Sequence, residues 1–199
     1  LLSSRAFPFS QTCDYDSQRD RQDLMARRNK QRVSRAGRLR IVAGIWRSRL
    51  LDIADVEGLR PTAERVRETL FNWLQFEIQG ARCLDLFAGS GVLGFEAASR
   101  GAGHVVLVEQ SRRVFAMLEK NRLQLKLDDR VELVCMDALQ WLARNREAFD
   151  IIFLDPPFGQ SMLQSAIDAL ADSPAVRPGA RIYIEQESHD EGVVEPEGC

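Results

Sequence analysis

The stretch Leu84-Asp85-Leu86-Phe87-Ala88-Gly89-Ser90-Gly91-Val92-Leu93-Gly94 decides the fold of this chain. It combines an apolar run containing one acid, a glycine-rich turn and a helical pattern, which predict a buried strand, a tight loop and a helix N-terminus. Gly89 and Gly91 permit positive φ and close approach of the backbone to a ligand, and the helix after Gly91 presents unpaired N–H groups. We expect Asp85 to accept hydrogen bonds from a cationic or hydroxyl-bearing ligand, and a nucleotide-type cofactor to bind at the carboxyl end of this strand.

Several interpretations of this loop remain open from the stretch alone. Residues 89–94 fit the G-x-G-x-x-G pattern of dinucleotide-binding proteins, and a purely structural turn between strand and helix would need no ligand. An acid just ahead of the loop is unusual in dinucleotide enzymes, and the stretch looks more like the S-adenosylmethionine loop of class I methyltransferases. A second motif is needed to choose, and the chain supplies one at Asp155-Pro156-Pro157-Phe158.

The composition is that of an ordinary globular protein. The chain has 199 residues, of which 45% are hydrophobic and 28% charged, and this suits one domain plus a tail. No run of 18 apolar residues occurs, so we expect no membrane span, and residues 1–10 lack the pattern of a secretory signal. The four cysteines are scattered without a C-x-x-C pair, which predicts no metal site and fits a reducing, cytoplasmic setting.

Positive charge is concentrated near the N-terminus. Nine basic residues and no acid lie between Arg27 and Arg49, although the whole chain has a net charge of −2. Such a block forms either a solvated tail or an arm that binds a polyanion. Within it, Trp46 either stacks on a base, as aromatic residues do on RNA-binding surfaces, or packs against the fold.

From residue 61 onward the chain alternates helical and strand patterns. A helix after Arg60-Pro61-Thr62, with Thr62 as its N-cap, is predicted to bury a face of Val66, Leu70, Trp73, Leu74 and Ile78. Later helices are predicted at 92–100, after a Ser111 cap, at 138–146 and at 161–171. The predicted strands are 83–87, 104–109, 130–134, 149–154 and 180–185. This alternation predicts a mostly parallel sheet with helices on both faces.

Three acids, Asp85, Glu109 and Asp137, lie at or just after the ends of successive predicted strands. The carboxyl ends of parallel strands form a ligand crevice. Glu109 is placed there to accept both ribose hydroxyls of an adenosine, and Asp137 with Ala138 to meet the adenine amine and ring. A single acid after a strand is more often a helix cap or turn residue, but three in register with a glycine loop favour a cofactor site.

The motif Asp155-Pro156-Pro157-Phe158 directly follows the fourth predicted strand. Two prolines stiffen the turn and prevent a helix from starting, so the Asp155 carboxylate and the Pro156 carbonyl become fixed acceptors at the mouth of the crevice. Phe158 adds a flat face beside them. Acceptors next to a stacking ring suit a planar group with an exocyclic amine, whereas a proline turn with a packed Phe is the structural alternative.

These motifs together resemble the class I S-adenosylmethionine-dependent methyltransferases that modify exocyclic amines. The segment Arg40-Ile41-Val42-Ala43-Gly44, with Arg60-Pro61-Thr62-Ala63-Glu64-Arg65-Val66-Arg67-Glu68-Thr69-Leu70-Phe71-Asn72-Trp73-Leu74, is similar to the bacterial 16S rRNA guanine-N2 methyltransferase family often called RsmD. The resemblance covers roughly residues 38–187. That family continues into further C-terminal strands, whereas residues 186–199 show no strand pattern, so we expect the C-terminal part of the sheet to be truncated.

The resemblance implies a Rossmann-like class I methyltransferase fold, S-adenosylmethionine as cofactor, and no metal. It implies methyl transfer to the N2 amine of a guanine in 16S rRNA, within an assembled or assembling 30S subunit, by a monomer. The organisation it suggests is a flexible basic extension over 1–37, a basic hairpin that contacts RNA over 38–60, and a methyltransferase domain over 61–199.

The predicted site residues follow from the motifs and the resemblance together. The predicted catalytic residues are Asp155, Pro156 and Phe158. The predicted cofactor-binding residues are Asp85, Phe87, Gly89, Ser90, Gly91, Glu109, Asp137 and Ala138. The predicted RNA-contact residues are Arg38, Arg40, Trp46, Arg47, Arg49, Arg60 and Thr62.

Three rival functions stay open at the level of sequence. A DNA or protein amino-group methyltransferase would carry a related Pro-Pro-aromatic motif. A noncatalytic RNA-binding module with the same fold is the second rival, although the complete set of acids together with Asp155 argues against it. An NAD oxidoreductase is the third, and it is disfavoured by Asp85 and by Asp155-Pro156-Pro157-Phe158.

Overall fold

The computed structural model describes residues 37–56, 61–127, 129–157 and 160–185. The predictions for the N-terminal extension (but for its last residue), for residues 186–199, for Arg60 and for Phe158 therefore lie outside the described residues. Within the described ranges, no helix is both long enough and apolar enough to cross a membrane.

A two-stranded hairpin opens the described chain, as the sequence predicts. Strand β1 (Arg38–Arg40) pairs antiparallel with β2 (Leu50–Asp52). Leu51 faces the core and is almost fully buried, whereas the arginines of β1 are exposed. The hairpin thus packs on the domain through apolar side chains such as Leu39 and Leu51 and presents its basic side chains outward.

Helix α1 (Glu64–Trp73) is present where the sequence predicts a helix, but its cap and its buried face differ from the prediction. Ala63, not Thr62, occupies the N-cap, and no side chain caps the helix. Val66 and Trp73 are 41% and 73% exposed, because the helix is rotated so that its buried stripe runs through Arg67. The residues that are buried are Arg67, Leu70 and Phe71, followed beyond the helix by Leu74 and Ile78.

A five-stranded, fully parallel sheet forms the centre of the domain, with the strand order β5-β4-β3-β6-β7. Its strands are β3 (Arg82–Asp85), β4 (His104–Glu109), β5 (Val131–Cys135), β6 (Phe149–Leu154) and β7 (Val176–Ile184). The helices between them are α2 (Val92–Ser99), α3 (Arg112–Leu125), α4 (Ala138–Arg144) and α5 (Gln160–Ala171). The predicted Rossmann-like α/β architecture is confirmed.

Three strands have boundaries that differ from the prediction, and those of β5 differ by only one residue at each end. Strand β3 ends at Asp85, two residues early, because the chain already turns toward the glycine loop. Strand β7 begins at Val176, four residues early, and runs through Pro178 and Gly179. Proline is tolerated there because β7 lies at the edge of the described sheet, where a missing N–H costs no ladder bond, and its pairing with β6 contains an irregularity.

Alternate residues of each strand enter two separate cores. Cys83, Val105 and Leu107 pack with residues of α1, α2 and α3 on one face of the sheet. Leu84 and Val106 pack with residues of α4 and α5 on the other. Helices therefore cover both faces, as strands with long apolar runs require.

The chain direction across the sheet reverses beside β3. The chain first moves outward from β3 through β4 to β5, and then returns to place β6 on the other side of β3. Such a reversal opens a crevice at the carboxyl ends of the two adjoining strands, which is where ligands bind in open α/β sheets. The carboxyl ends of β3 and β6 lead directly into the glycine loop and into Asp155-Pro156-Pro157.

Candidate active site at the carboxyl ends of the strands

A cavity of about 480 Å³ occupies this crevice, a volume in the usual range for small-molecule sites. Its wall combines a set of polar groups with a larger apolar surface. The polar and charged residues in the wall include Thr62, Asp85, Ser90, Glu109, Ser111, Asp137 and Asp155. The apolar residues include Leu86, Phe87, Val92, Val108, Met136, Ala138, Leu139, Pro156 and Met162.

The glycine loop has the backbone geometry that the sequence predicts. Gly89 and Gly91 have φ of +50° and +74°, in the left-handed region that side chains disfavour. A Cβ on Gly91 would lie 2.5 Å from Leu118 Cδ2, so the position also lacks room for a side chain. Gly91 is the N-cap of α2 and supplies no side-chain bond to the helix.

Asp85 takes over part of the capping of α2. Its carboxylate is 2% exposed, and Oδ2 accepts a hydrogen bond from the Gly94 backbone N–H at 3.0 Å. Burial raises the pKa of Asp85 to about 7, the Gly94 N–H opposes this, and the charges of Asp155 and Glu109 add to it. Asp85 therefore lines the cavity and also ties β3 to the first turn of α2, and its predicted hydrogen bond to a ligand stays a prediction.

Glu109 joins the glycine loop to the start of α3. Its Oε2 accepts from the Gly89 backbone N–H at 3.0 Å, and its Oε1 accepts from the Ser111 backbone N–H at 2.6 Å. A carboxylate offers about four acceptor positions, so both oxygens retain capacity for hydroxyl donors from the cavity. Glu109 thus lies where the sequence predicts a ribose-binding acid.

Asp137 is a helix cap and also lines the cavity. It is the N-cap of α4, and its Oδ1 accepts from the Gln140 backbone N–H at 3.0 Å. It also lines the cavity beside Ala138. The cap fixes the orientation of the carboxylate without removing it from the site.

Asp155 lies at the opposite side of the crevice, just beyond β6. The hydroxyl of Thr62 donates to Asp155 Oδ2 over 3.3 Å. Burial raises the pKa of Asp155 to about 6, with the charge of Glu185 adding to the shift and the Thr62 hydrogen bond opposing it. Thr62 itself is 3% exposed and is part of the cavity wall, unlike the exposed hairpin arginines with which the sequence groups it, and its predicted contact with RNA stays a prediction.

Four of the predicted RNA-contact arginines, Arg38, Arg40, Arg47 and Arg49, are exposed on the hairpin and its loop. Arg38 pairs with Asp52 at 3.2 Å. Trp46 is half-buried and packs against the core, with the Arg130 guanidinium 5.9 Å from its ring centroid. The packing interpretation of Trp46 is therefore the one that the structure favours.

The hairpin loop is fixed to the C-terminal end of α2. The backbone N–H of Ile45 donates to the Ser99 carbonyl at 2.8 Å, and Ser99 Oγ donates to the Ala43 carbonyl at 2.6 Å. Gly44 has φ of +84°, and a Cβ there would lie 1.9 Å from the Ser99 carbonyl oxygen. The exposed arginines of the loop consequently have a defined position relative to the helix that starts at the glycine loop.

A buried ion pair that the sequence patterns did not predict supports this arrangement. The Arg67 and Glu96 side chains are fully buried, with Nη1 3.5 Å from Oε2. Glu96 also accepts from the backbone N–H groups of Val42 and Ala43 at 2.8 and 2.9 Å, and from Arg100 at 2.9 Å. The signal in the sequence was a lone glutamate inside the otherwise apolar and small-residue helix Val92–Ser99.

The chain is a methyltransferase of the Rossmann-like class, in which a glycine loop and strand-end acids share one cavity with Asp155-Pro156-Pro157 after the fourth strand of the sheet. The chain belongs to the family described as Conserved hypothetical protein 95, whose sequence model matches residues 39–199.

Most of the chain is similar to named relatives and to a solved structure. It is 46% identical over 154 residues to the Ribosomal RNA small subunit methyltransferase D of Escherichia coli strain K12, covering 77% of each chain. It is 44% identical over 164 residues to the protein of the same name from Haemophilus influenzae, covering 81% of this chain and 84% of that one. The solved structure of the Escherichia coli protein yhhF matches with a TM-score of 0.75 and 41% identity, over 81% of this chain and 87% of that one.

Proposed function

We propose that this protein transfers the methyl group of S-adenosylmethionine to the exocyclic N2 amine of a guanine in the RNA of the small ribosomal subunit. The observation that carries the proposal is the shared cavity, whose wall contains Asp155 and Pro156 together with the glycine loop and the acids Asp85 and Glu109. A methyl donor and an amine acceptor must meet in one enclosed space, and this cavity provides acceptors for both.

The donor set of the cavity fits S-adenosylmethionine. Glu109 has free acceptor positions that suit the two ribose hydroxyls, and Asp137 and Ala138 line the same cavity with apolar neighbours that suit an adenine. The carboxyl groups of Asp85 and Asp155 add negative charge to the cavity wall when ionised, which favours a ligand with positive charge. When bound, the cofactor supplies an electrophilic methyl group on a sulfonium.

Asp155 and Pro156 provide what a guanine amine needs from the protein. The N2 lone pair is delocalised into the ring, so the amine is a weak nucleophile. Acceptance of its two N–H bonds by the Asp155 carboxylate and the Pro156 carbonyl directs the lone pair outward and stabilises the positive charge that develops on nitrogen. The N–C bond forms as the S–C bond breaks, and the amine then loses a proton to Asp155 or to solvent. Phe158, beyond the described residues, is proposed to stack on the base.

The exposed arginines of the hairpin and its loop are proposed to bind the phosphate backbone of the RNA. Their fixed attachment to the end of α2 gives them a constant position relative to the cofactor loop. We further propose that the enzyme works as a cytoplasmic monomer on an assembled or assembling 30S subunit. The names of the E. coli and H. influenzae relatives support ribosomal RNA as the target.

Glu109→Ala should weaken binding of S-adenosylhomocysteine by about 1.5–3 kcal/mol, the scale of hydrogen bonds to a charged group. Isothermal titration calorimetry measures the change. Glu119→Ala, at an exposed position of α3, is the matched control and should bind as the wild type does. Equal affinity of the Glu109 variant and the wild type would remove Glu109 from the cofactor site.

Arg47→Ala should weaken RNA binding and reduce the slope of log affinity against log salt by about 0.7–0.9, the contribution of one phosphate contact. The control is Arg144→Ala, which removes an exposed positive charge from α4 on the other face of the sheet. Binding is measured across a salt series with small-subunit RNA. If the two variants change the slope equally, the hairpin loop is not a specific RNA-contact surface.

The choice of substrate separates the proposed function from its rivals. The purified protein is incubated with labelled S-adenosylmethionine and, in parallel, with 30S subunits, free 16S rRNA or DNA from cells that lack the enzyme. We expect label in the 30S subunits and in their RNA. Label in DNA or in a ribosomal protein would support the rival amino-group methyltransferases, and no label in any substrate would support a noncatalytic module.

A further inference from the structure

Thr62 is the side chain that links the start of α1 to the acceptor motif. It lies immediately ahead of the helix, is nearly fully buried and forms part of the cavity wall. Its Oγ1 donates to Asp155 Oδ2 over 3.3 Å, which is longer than the common O–H···O separation. Catalytic hydrogen bonds are often long in the free enzyme and tighten when substrate binds.

A hydrogen bond to its backbone carbonyl also fixes the position of Thr62. Its backbone carbonyl accepts a hydrogen bond from Arg67 Nε at 3.2 Å, and Arg67 Nη1 also donates to the Arg40 carbonyl at 3.1 Å. Arg67 is in turn paired with the buried Glu96 on α2. Arg67 is thus held by the Arg40 carbonyl and by Glu96, and its bond to the Thr62 carbonyl helps to fix where the Thr62 hydroxyl lies.

The carboxylate of Asp155 needs such a partner. The terminal torsion of an Asp side chain is broad and roughly two-fold, so the carboxylate has no strong intrinsic orientation. The ionisable groups that act on it electrostatically are Asp85 at the end of β3, Glu185 after β7 and the phenol of Tyr183. The two carboxylates repel Asp155, whereas the Thr62 hydroxyl attracts one of its oxygens.

We propose that Thr62 is a positioning residue for methyl transfer, whose hydroxyl holds the Asp155 carboxylate in the orientation in which it accepts the substrate amine. The inference rests on the proposed role of Asp155. The burial of Thr62 and its hydrogen bond to Asp155 favour this positioning role over a contact with the RNA backbone.

The first test compares Thr62→Val, which keeps the shape and loses the hydroxyl, with Thr62→Ser, which keeps the hydroxyl. Single-turnover transfer of labelled methyl to 30S subunits should slow about 10-fold in Thr62→Val, the scale of one hydrogen bond to a charged group. Thr62→Ser should stay close to the wild-type rate. Binding of S-adenosylhomocysteine and of RNA should not change in either variant, and thermal unfolding checks that both are folded. Thr62→Ala serves as a second variant without the hydroxyl.

The pH dependence of the rate gives a readout that a merely structural role would not move. The Thr62 hydrogen bond lowers the pKa of Asp155 against the effect of burial. Loss of the hydroxyl therefore raises that pKa, and the acidic limb of the rate profile should shift to higher pH in Thr62→Val and return in Thr62→Ser. A slower Thr62→Val variant with an unshifted limb would contradict the proposal.

A double-variant cycle separates failure of this inference from failure of the proposed site. Thr62→Val should have little further effect in an Asp155→Ala background, because the group that it positions is gone. An equal effect in both backgrounds, or no effect in the wild-type background, would overturn the role of Thr62 and leave that of Asp155 intact. A wild-type rate in Asp155→Ala alone would instead overturn the proposed role of Asp155, and the inference with it.

Discussion

Asp155→Ala should lower the single-turnover rate of methyl transfer by roughly 10²-fold or more, the low end of what a positioned acid–base group contributes. The carboxylate accepts the amine N–H and stabilises charge on nitrogen, so its loss affects the chemical step and not the binding of cofactor. Affinity for S-adenosylhomocysteine should therefore change little. Asp172→Ala, at an exposed position beyond α5, is the control and should transfer methyl at the wild-type rate.

The same carboxylate should give the wild-type enzyme an acidic limb in its pH profile. Asp155 must be deprotonated to accept the amine, and its pKa is raised to about 6, so the rate at subsaturating RNA should rise with pH through that region. The part of the acidic limb that disappears in Asp155→Ala is the part caused by titration of Asp155. Any limb that remains is expected from Asp85, whose pKa is raised to about 7. An Asp155→Ala variant with both the wild-type rate and the wild-type profile would exclude the carboxylate from the reaction.

Glu96→Gln should destabilise the fold by about 3–5 kcal/mol, the cost of leaving a buried charge without its partner. The amide of Gln has nearly the same shape as the carboxylate of Glu96. Its NH₂ group, however, would face the N–H donors that the carboxylate accepts from, and it could not accept their hydrogen bonds. Arg67 would keep its charge in a buried environment, and one of the two hairpin N–H groups would lose its acceptor. The change removes a connection between the hairpin, α1 and α2 at the same time.

Urea unfolding of Glu96→Gln and of its matched control measures this prediction. The control is Glu119→Gln, which makes the same chemical change at an exposed position of α3 and should stay within about 0.5 kcal/mol of the wild type. The m-value should not change if both proteins unfold in two states. A loss below about 1 kcal/mol for Glu96→Gln would show that Arg67 and Glu96 are not coupled as the distances indicate.

The parts of the fold that follow local rules were predictable from the sequence. The apolar runs of β4 and β6 identified buried parallel strands, and the glycines at 89 and 91 identified a loop with positive φ. The strand-end acids fell in one cavity because the carboxyl ends of parallel strands meet at one edge. Asp155 and Pro156 reached the same cavity for that reason.

The parts that depend on contacts distant in sequence were not predictable. The pairing of Arg67 with Glu96 turns α1 so that an arginine is buried and Trp73 is exposed, and a helical periodicity of apolar residues cannot anticipate that. Thr62 is of a residue type that commonly caps helices, but its hydroxyl forms a hydrogen bond with Asp155, which is distant in sequence, and Ala63 is the N-cap. Strand β7 runs through Pro178 and Gly179 because its pairing with β6 overrides two residues that usually end a strand.

Identification of the methylated atom tests the central claim most directly. Small subunits from cells that lack the enzyme are incubated with the purified protein and S-adenosylmethionine labelled in its methyl group, and the nucleosides of their 16S rRNA are analysed by mass spectrometry. We predict that the label appears as N2-methylguanosine at one position, and that Asp155→Ala gives about a hundredth of that product or less within the time in which the wild type completes one turnover. Label on an adenine, a cytosine, a ribose hydroxyl or a ribosomal protein would contradict the account.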